Sequence, residues 1–572
     1  MSSGSESPSP TPTPSSPDPR SRRLQKWLPW LGAVLLWLAM DPLRWWVFGW
    51  IALVPWSILA LQTEGPGASG YRRLWYAGTL FWLTALYGLC FAHPAMFLGW
   101  LTLSAYLGLY TPLFVGLVRT GIANRIPPLV GIPLIWCGLE WIRGYAFTGF
   151  SACMLGHTQA DITVVIQIAD LLGSYAVSAL LATVAATIAI VIQARFRFGA
   201  GTVAIPKRLV IGAVASSVVL VTATLAYGSW RLQQPESGPD APSLGIRVAL
   251  VQRDEAVKYI MPPGRETEIF DSYLDGSKAA LAASDQTVDL VVWPESMFTR
   301  GFPWMLLEET AIVPADAGMT SSEFTNRVTV SAEQWQLNAG EVQRRMTAGS
   351  KQTVPPALLL GCGVIRFAER PHSYSGAVLV EERGRVSDWY GKRHLVMFGE
   401  YIPFTEWFPD VHTWIQMPRV SIGPAVKSLQ CKDVNIVPNI CFETAVESVP
   451  IGQIRSLLAE GENPDVIINL TNDAWFGGSP ILGHHRRCSQ FAAVATRRPV
   501  LMASNTGPTF WADGSGRVID SLPKMTKGHL LVNPTRDSRW SLYQWWGDWP
   551  LRLCAGIVCY LAFQGGWRAR RV

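Results

Sequence analysis

The sequence predicts a membrane α-helical unit joined to an extramembrane α/β domain. Three observations predict it. Seven apolar blocks separated by short polar links run from Trp27 to Trp230. Between 231 and 545, short apolar runs then alternate with polar and amphipathic stretches, as in a layered α/β domain. An eighth apolar block follows near 550–565. The composition agrees: 49% hydrophobic residues and 26 Trp in 572 residues exceed what a soluble enzyme of this length ordinarily carries.

Residues 1–23 open with "MSSGSESPSPTPTPSSPDP", which holds too little apolar surface to fold and reads as a disordered tail. The seven blocks of the membrane unit, 24–230, lie near 27–40, 45–61, 74–92, 96–117, 127–142, 164–192 and 209–230. Most approach the ~20 residues a helix needs to cross a bilayer. Every second link is basic: Arg20, Arg22, Arg23 and Lys26 before the first block, Arg72 and Arg73 after the second, Arg119 and Arg125 after the fourth, Arg195 to Arg208 after the sixth. Arg568, Arg570 and Arg571 follow the eighth, in the closing segment 546–572. Basic links are retained on the cytoplasmic side, so both termini are expected there and 231–545 outside. These flanks account for the net charge of +6 and call for no nucleic-acid partner. The first block lacks a small-residue cleavage site after it, so a cleaved signal peptide is not expected.

In the outward domain, strands are predicted at 246–252, 288–295, 357–365, 376–382, 434–440, 465–472 and 499–506, with helices at 265–283 and 484–497. Two strands end in residues that need a reason: "VDLVVWPE" ends in Glu295, and "VNIVPNI" runs into Cys441 of "NICFETA". A third candidate is "YGKRHLVMFGEYIPF", where Lys392 and Glu400 flank an apolar stretch. Taken singly, each has an ordinary alternative, a buried structural cysteine or a surface ion pair. The nine cysteines contain no CxxC pair, which leaves a zinc ribbon or thioredoxin-type site without support. Four lie in the outward domain, where disulfides are permitted, and the sequence does not pair them.

Taken together, "WPES", "YGKRHLVMFGEYIPF" and "NICFE" resemble, in chain order, the Glu-Lys-Cys signature of the nitrilase superfamily. "FGEYIPF", "NLTNDAWFG", "EWIRGYAFTGFSACMLGHTQ" and the eight-block frame narrow the resemblance, over residues 24–567, to the apolipoprotein N-acyltransferases. The resemblance implies a nitrilase-like αββα sandwich domain inserted between transmembrane helices seven and eight, at the bacterial inner membrane with the catalytic domain periplasmic. It implies Glu295 as base, Lys392 as oxyanion partner and Cys441 as nucleophile. Glu400, Glu443, Phe398, Phe442, Trp475 and Phe476 carry over as supporting or substrate-binding residues. The implied reaction moves an acyl chain from a membrane phospholipid, through a cysteine thioester, to the α-amine of a diacylglyceryl-modified apolipoprotein. No cofactor is needed, and a monomer in the lipid bilayer is expected. The chain departs from the family pattern at Phe442, where Tyr is frequent, at Ser375, where Asn is frequent, and in the long gap from Glu295 to Lys392, which reads as a surface insertion around 300–355.

A thiol with an ordinary pKa near ~8.5 is mostly protonated at neutral pH, so an acyl-transfer cysteine needs a base and a favourable field. A glutamate shielded from water serves as that base, and a lysine stabilises the developing oxyanion. "DAWFGGSPILG" reads as a lid with Trp475 and Phe476 as apolar anchors and Gly477, Gly478 and Gly483 allowing movement, or else as a core aromatic pair beside a turn. His484, His485 and Cys488 suggest a metal only weakly, because adjacent histidines do not easily share one ion. Glu140, Arg143 and Asp170, within or beside apolar blocks, either line a lipid path or simply pair. Trp540, Trp545, Trp546 and Trp549 read as an interfacial belt. Two other functions compete: a membrane-anchored nitrilase-type amidase hydrolysing small amides, and a transporter or receptor with an outward sensory domain.

Overall fold

In the computed structural model, the described residues are 19–147, 149–196, 205–235, 242–257, 262–299, 303–314, 317–397, 399–401 and 420–569. The first half is helical. Helix α1 (Pro19–Ala39) already begins inside the stretch read as tail. A short 3-10 turn, Trp46–Trp50, leads into α2 (Val54–Leu61), and α3 (Gly67–Ala85) continues through a turn at Leu89–Ala92. Then come α4 (Met96–Gly108), α5 (Tyr110–Ala123), α6 (Pro128–Tyr145), α7 (Ser174–Phe196) and α8 (Lys207–Leu232). Among the described residues, three stretches, Met96–Ala123, Ser174–Phe196 and Lys207–Leu232, are long and apolar enough to cross a membrane. Small residues bring α3 and α4 together, as in membrane bundles: a Cβ on Gly78 would lie 2.8 Å from the Gly108 carbonyl.

The apolar block expected over 164–192 is not one helix. It breaks into turns at Thr163–Ile166 and Ala169–Leu172 before α7, and Gly173 makes the break with φ +64. A Cβ there would collide with Glu447 Oε1, which instead accepts the Ser174 N–H at 2.5 Å. The break is therefore made by a carboxylate from the second half of the chain.

That second half is built on two sheets. The first runs β13 (Gly528–Val532), β1 (Val248–Gln252), β2 (Leu290–Trp293), β4 (Ala357–Phe367), β5 (Pro371–Val380), β6 (Val386–Gly391), with β3 (Trp304–Leu307) also on β4. The second runs β12 (Val518–Ser521), β11 (Phe510–Ala512), β10 (Val500–Ser504), β9 (Val466–Thr471), β8 (Val434–Ile440), β7 (Leu429–Cys431). In each sheet the central strands β1–β2–β4 and β8–β9–β10 are parallel, which explains their unbroken apolar sequences.

Period-2 alternation divides the strands between two cores. Val248, Leu250, Val292, Ile436, Ile468 and Leu501 pack between the sheets. Ala249, Val251 and Val291 face helices α9 (Arg265–Ala283) and α10 (Ser321–Thr347). Val437, Ile467 and Val500 face α11 (Ser448–Ala459) and α12 (Pro480–Thr496). The order of layers is α-β-β-α.

Helix α10 corrects the expected surface insertion. Phe324, Val328, Trp335, Ala339, Val342 and Met346 recur at helical spacing and are buried, Trp335 to 2% exposure, so the polar run supplies a covering helix of the first sheet. Its start is fixed by a capping box between Thr320 and Glu323.

The helical half and α12 share one core. Ala445, Cys488, Phe491 and Val494 cluster with residues of α1, α2, α3 and α7, with Phe442 packed against them. Asp170, expected either to line a path or to pair, pairs: it meets Arg231 of α8 and Arg497 at the end of α12, at 2.7 and 2.5 Å. The chain closes with α13 (Trp549–Ala569), packed against α6.

Candidate active site

The structure brings Glu295, Lys392, Glu400 and Cys441 together at the ends of β2, β6 and β8, three strands of two different sheets. Strand β2 stops at Trp293, and Glu295 sits on the following turn with Ser296 at φ +59. The turn can rest on β4 only because position 361 is glycine: a Cβ there would collide with the Pro294 carbonyl. Cys441 itself has φ +53, a left-handed backbone that a non-glycine residue adopts rarely and that turns its side chain out of the strand direction at a 3-10 turn, Cys441–Ala445.

Lys392 follows β6 and is 1% exposed. Its Nζ lies 2.8 Å from Glu400 Oε1 and 3.5 Å from Glu295 Oε1. The Cys441 thiol is within hydrogen-bonding reach of the Glu295 carboxylate. Ser375 on β5, noted in the sequence only as a departure, donates from Oγ to Glu295 Oε1 at 3.3 Å. Glu400 Oε2 also accepts the Val396 N–H at 2.8 Å, fixing the segment between it and Lys392.

Burial pushes the Glu295 carboxyl above the ordinary glutamate range, opposed by Lys392 and assisted by Glu400. Burial alone would discharge Lys392, but Glu295, Cys441 and Glu400 outweigh it and hold the ammonium charged beyond an ordinary lysine. Burial, with Glu295, raises the Cys441 thiol well above its usual value, and Lys392 acts against that rise. The site thus sets a thiol beside a carboxyl group and a fixed cation. Such an arrangement can remove the thiol proton as the sulfur attacks and can meet a developing oxyanion with positive charge.

Glu443 is fully buried, and its carboxylate is engaged by four donors: Tyr390 Oη at 2.9 Å, the N–H groups of Arg393 and His394 at 2.8 and 3.0 Å, and the N–H of Ile440 at 2.8 Å. It ties the loop carrying Lys392 to the strand end carrying Cys441. Burial raises its pKa, against the pull of those backbone bonds.

The sequence reading missed a second ring of support. Asn469 in mid-β9 donates to the Cys441 carbonyl at 3.2 Å and to Thr444 Oγ1 at 2.8 Å. His485 Nε2 lies 3.0 Å from Thr444 Oγ1, and its Nδ1 lies 3.3 Å from Asp473 Oδ1. A polar Asn inside the fully buried run "VIINLT" was the available signal. His484 faces away from its neighbour, its Nδ1 4.0 Å from Asp41, and no metal-ligand group is found among the described residues.

Phe442 lies between the domains, its ring centroid 6.2 Å from that of Phe150 and 6.4 Å from that of His394. Trp475 and Phe476 are half-buried on a 3-10 turn, Asp473–Phe476, in contact with the turn Leu89–Ala92. Gly477, with φ +54, stands against Phe91, whereas Gly483 lies inside α12 pressed to Asp41 and offers no hinge. Phe398 lies outside the described residues. Of the expected Trp belt, Trp540, Trp545 and Trp549 are exposed, but Trp546 turns inward and donates from Nε1 to the Leu171 carbonyl at 2.8 Å.

Comparison with known proteins agrees with this two-part architecture. Residues 32–187 match the apolipoprotein N-acyltransferase N-terminal domain family, and residues 247–539 match the carbon-nitrogen hydrolase family. The chain is 37% identical to an apolipoprotein N-acyltransferase of Rhodopirellula baltica, over 94% of this chain and 97% of that protein. It is 30% identical to one from Geobacter metallireducens, over 90% of this chain and 91% of the other. Among solved structures, a mutant of the Nesterenkonia AN1 amidase from the nitrilase superfamily aligns with 51% of this chain and 92% of its own at 15% identity and a TM-score of 0.33. With near-complete coverage by relatives at these identities, the chain belongs to the apolipoprotein N-acyltransferase family.

Proposed function

We propose that this acyltransferase carries its acyl group on Cys441. In the first half-reaction the Cys441 sulfur attacks an ester carbonyl of a membrane phospholipid. Glu295 takes the thiol proton, Lys392 faces the oxyanion, and collapse breaks the ester C–O bond, with the proton passing to the departing lysophospholipid. In the second, the α-amine of an S-diacylglyceryl-cysteine at an apolipoprotein N-terminus attacks the thioester, forms an amide and regenerates the thiol. The observation that carries this reading is the convergence of Glu295, Lys392 and Cys441 in a chain of this family. The amidase alternative is disfavoured, because the relatives that match nearly the whole chain are acyltransferases.

Within this reading Glu400 is a positioning residue that holds the Lys392 ammonium. Glu400→Gln is expected to lower turnover by ~10–100-fold, the worth of one charge-assisted hydrogen bond, without loss of folding. A kcat fall at unchanged KM in a phospholipid-dependent assay fits this role, and full activity would reassign Glu400 to surface packing.

The same reading sets the α/β domain between transmembrane helices seven and eight, on the periplasmic side of a bacterial inner membrane, with both termini cytoplasmic. The alternating basic links and the apolar helices support it. A cysteine introduced at Gln234 should react with an impermeant thiol reagent added outside the cell. One at Lys207 should react only after the membrane is opened. The reverse pattern would overturn the orientation.

A further inference from the structure

Where α8 ends and α13 begins, the chain is stitched into a basic and aromatic hollow. Arg231, in the last turn of α8, donates from Nη2 to the Trp540 carbonyl at 2.7 Å, while Arg539 Nη1 donates to the Arg231 carbonyl at 2.8 Å. Beside this joint lies a cavity of about 460 Å³, within the usual range for small-ligand sites. Arg455, Arg498 and Arg539 line it together with Leu458 and Ala459, and among the described residues no acidic side chain lines it.

The three charges are not equally met. Arg539 is paired with Asp537 at 2.6 Å. Buried Arg498 bonds neutral acceptors, among them the Arg497 carbonyl at 3.0 Å and Asn463 Oδ1 at 3.2 Å, while Asp537 and Asp465 act on its charge from farther off. Arg455 is exposed and laid against Gly547, just ahead of α13. Neither Arg455 nor Arg498 has an ion pair among the described residues. The rim carries Trp540 and Trp545, 60% and 71% exposed, a residue type that settles at the headgroup level of a bilayer.

A guanidinium fork without an ion pair suits phosphate as it does carboxylate, and the position of Arg455 between the outer ends of two apolar helices selects a phosphate attached to a lipid. We propose that this cavity is a headgroup site for an anionic phospholipid of the outer leaflet, separate from the crevice that contains Cys441. The proposal rests on the reading of α8 and α13 as membrane-spanning. An occupant would neutralise Arg455, lay its headgroup over the Trp540 and Trp545 rings, and hold the α11 side of the domain down on the membrane.

The test uses the full-length protein in nanodiscs of mixed zwitterionic and anionic phospholipid, doped with a photoactivatable anionic phospholipid. Adducts are mapped by peptide mass spectrometry, and Cys441 acylation is read in the same sample. Crosslinks are expected within 455–459 and 538–545. Their yield should fall about fivefold in Arg455→Gln, the loss of one basic residue at an anionic surface, and should fall also in Trp545→Ala. Millimolar inorganic phosphate should leave it unchanged. Equal labelling by a zwitterionic probe, an unaltered yield in Arg455→Gln, or displacement by free phosphate would each overturn the proposal. Lost crosslinking with intact Cys441 acylation would remove this site alone, and lost acylation with intact crosslinking would remove the acyl-transfer reading alone.

Discussion

Incubated with phospholipid and no lipoprotein acceptor, the protein should gain the mass of one acyl chain on Cys441. The second half-reaction then lacks its amine, and the acyl group stays on the sulfur. The bond should be a thioester: neutral hydroxylamine releases it, and a diacylglyceryl-cysteine peptide discharges it into an amide while lysophospholipid accumulates in equal amount. Cys441→Ala should show neither adduct nor turnover, because no other side chain at this position offers a nucleophile. Mass spectrometry of the intact protein and of the peptide containing 441 reads the result. A Cys441→Ala protein that still acylates the peptide would return Cys441 to the role of a structural thiol, and its left-handed backbone would need another cause.

Glu295→Gln should lose ~10²–10⁴ in the acylation rate, the usual contribution of a general base, while phospholipid binding is retained. The amide preserves shape and can still meet Ser375 and Lys392, and Glu400 continues to hold the ammonium at 2.8 Å. What disappears is the acceptor for the Cys441 proton. The pH dependence gives a second reading. The Glu295 pKa lies above the ordinary glutamate value, so the wild-type rate should decline as pH falls through that raised pKa and the base fills with a proton. The residual rate of Glu295→Gln should lack this acid limb. A variant with the wild-type profile would place the titrating base elsewhere.

Much of the site is legible in the sequence because its residues end strands. "VNIVPNI" spans β8 as predicted, and Cys441 follows as the first residue that cannot continue it; helix 265–283 was likewise legible from its spacing. What could not be read is what depends on two distant segments meeting. Tyr390 and the amides of Arg393 and His394 converge on Glu443 from β6 and its loop, and Ser375 reaches Glu295 across the sheet. No local pattern encodes such pairs. Helix 321–347 was misread for a different reason: polar residues outnumber its buried face, and composition concealed a stripe that the 3.6-residue period would have exposed. The broken block before α7 failed because its breaker, Glu447, is far away in the chain.

The shared core around Phe442, Phe150, Ala445 and Phe491 bears on how the enzyme can be handled as a molecule. In most two-part proteins the catalytic portion can be cut free and studied in water, since its own surface is complete. Here the residues immediately after Cys441 pack into the core of the helical half, and Arg487 crosses the same boundary to reach the carbonyls of Ala39 and His157 at 3.2 and 3.1 Å. An excised fragment would carry a raw apolar wound beside Cys441 and an arginine stripped of its acceptors. The helical half is therefore one wall of the surroundings of Cys441, and a soluble version would have to replace that wall rather than omit it.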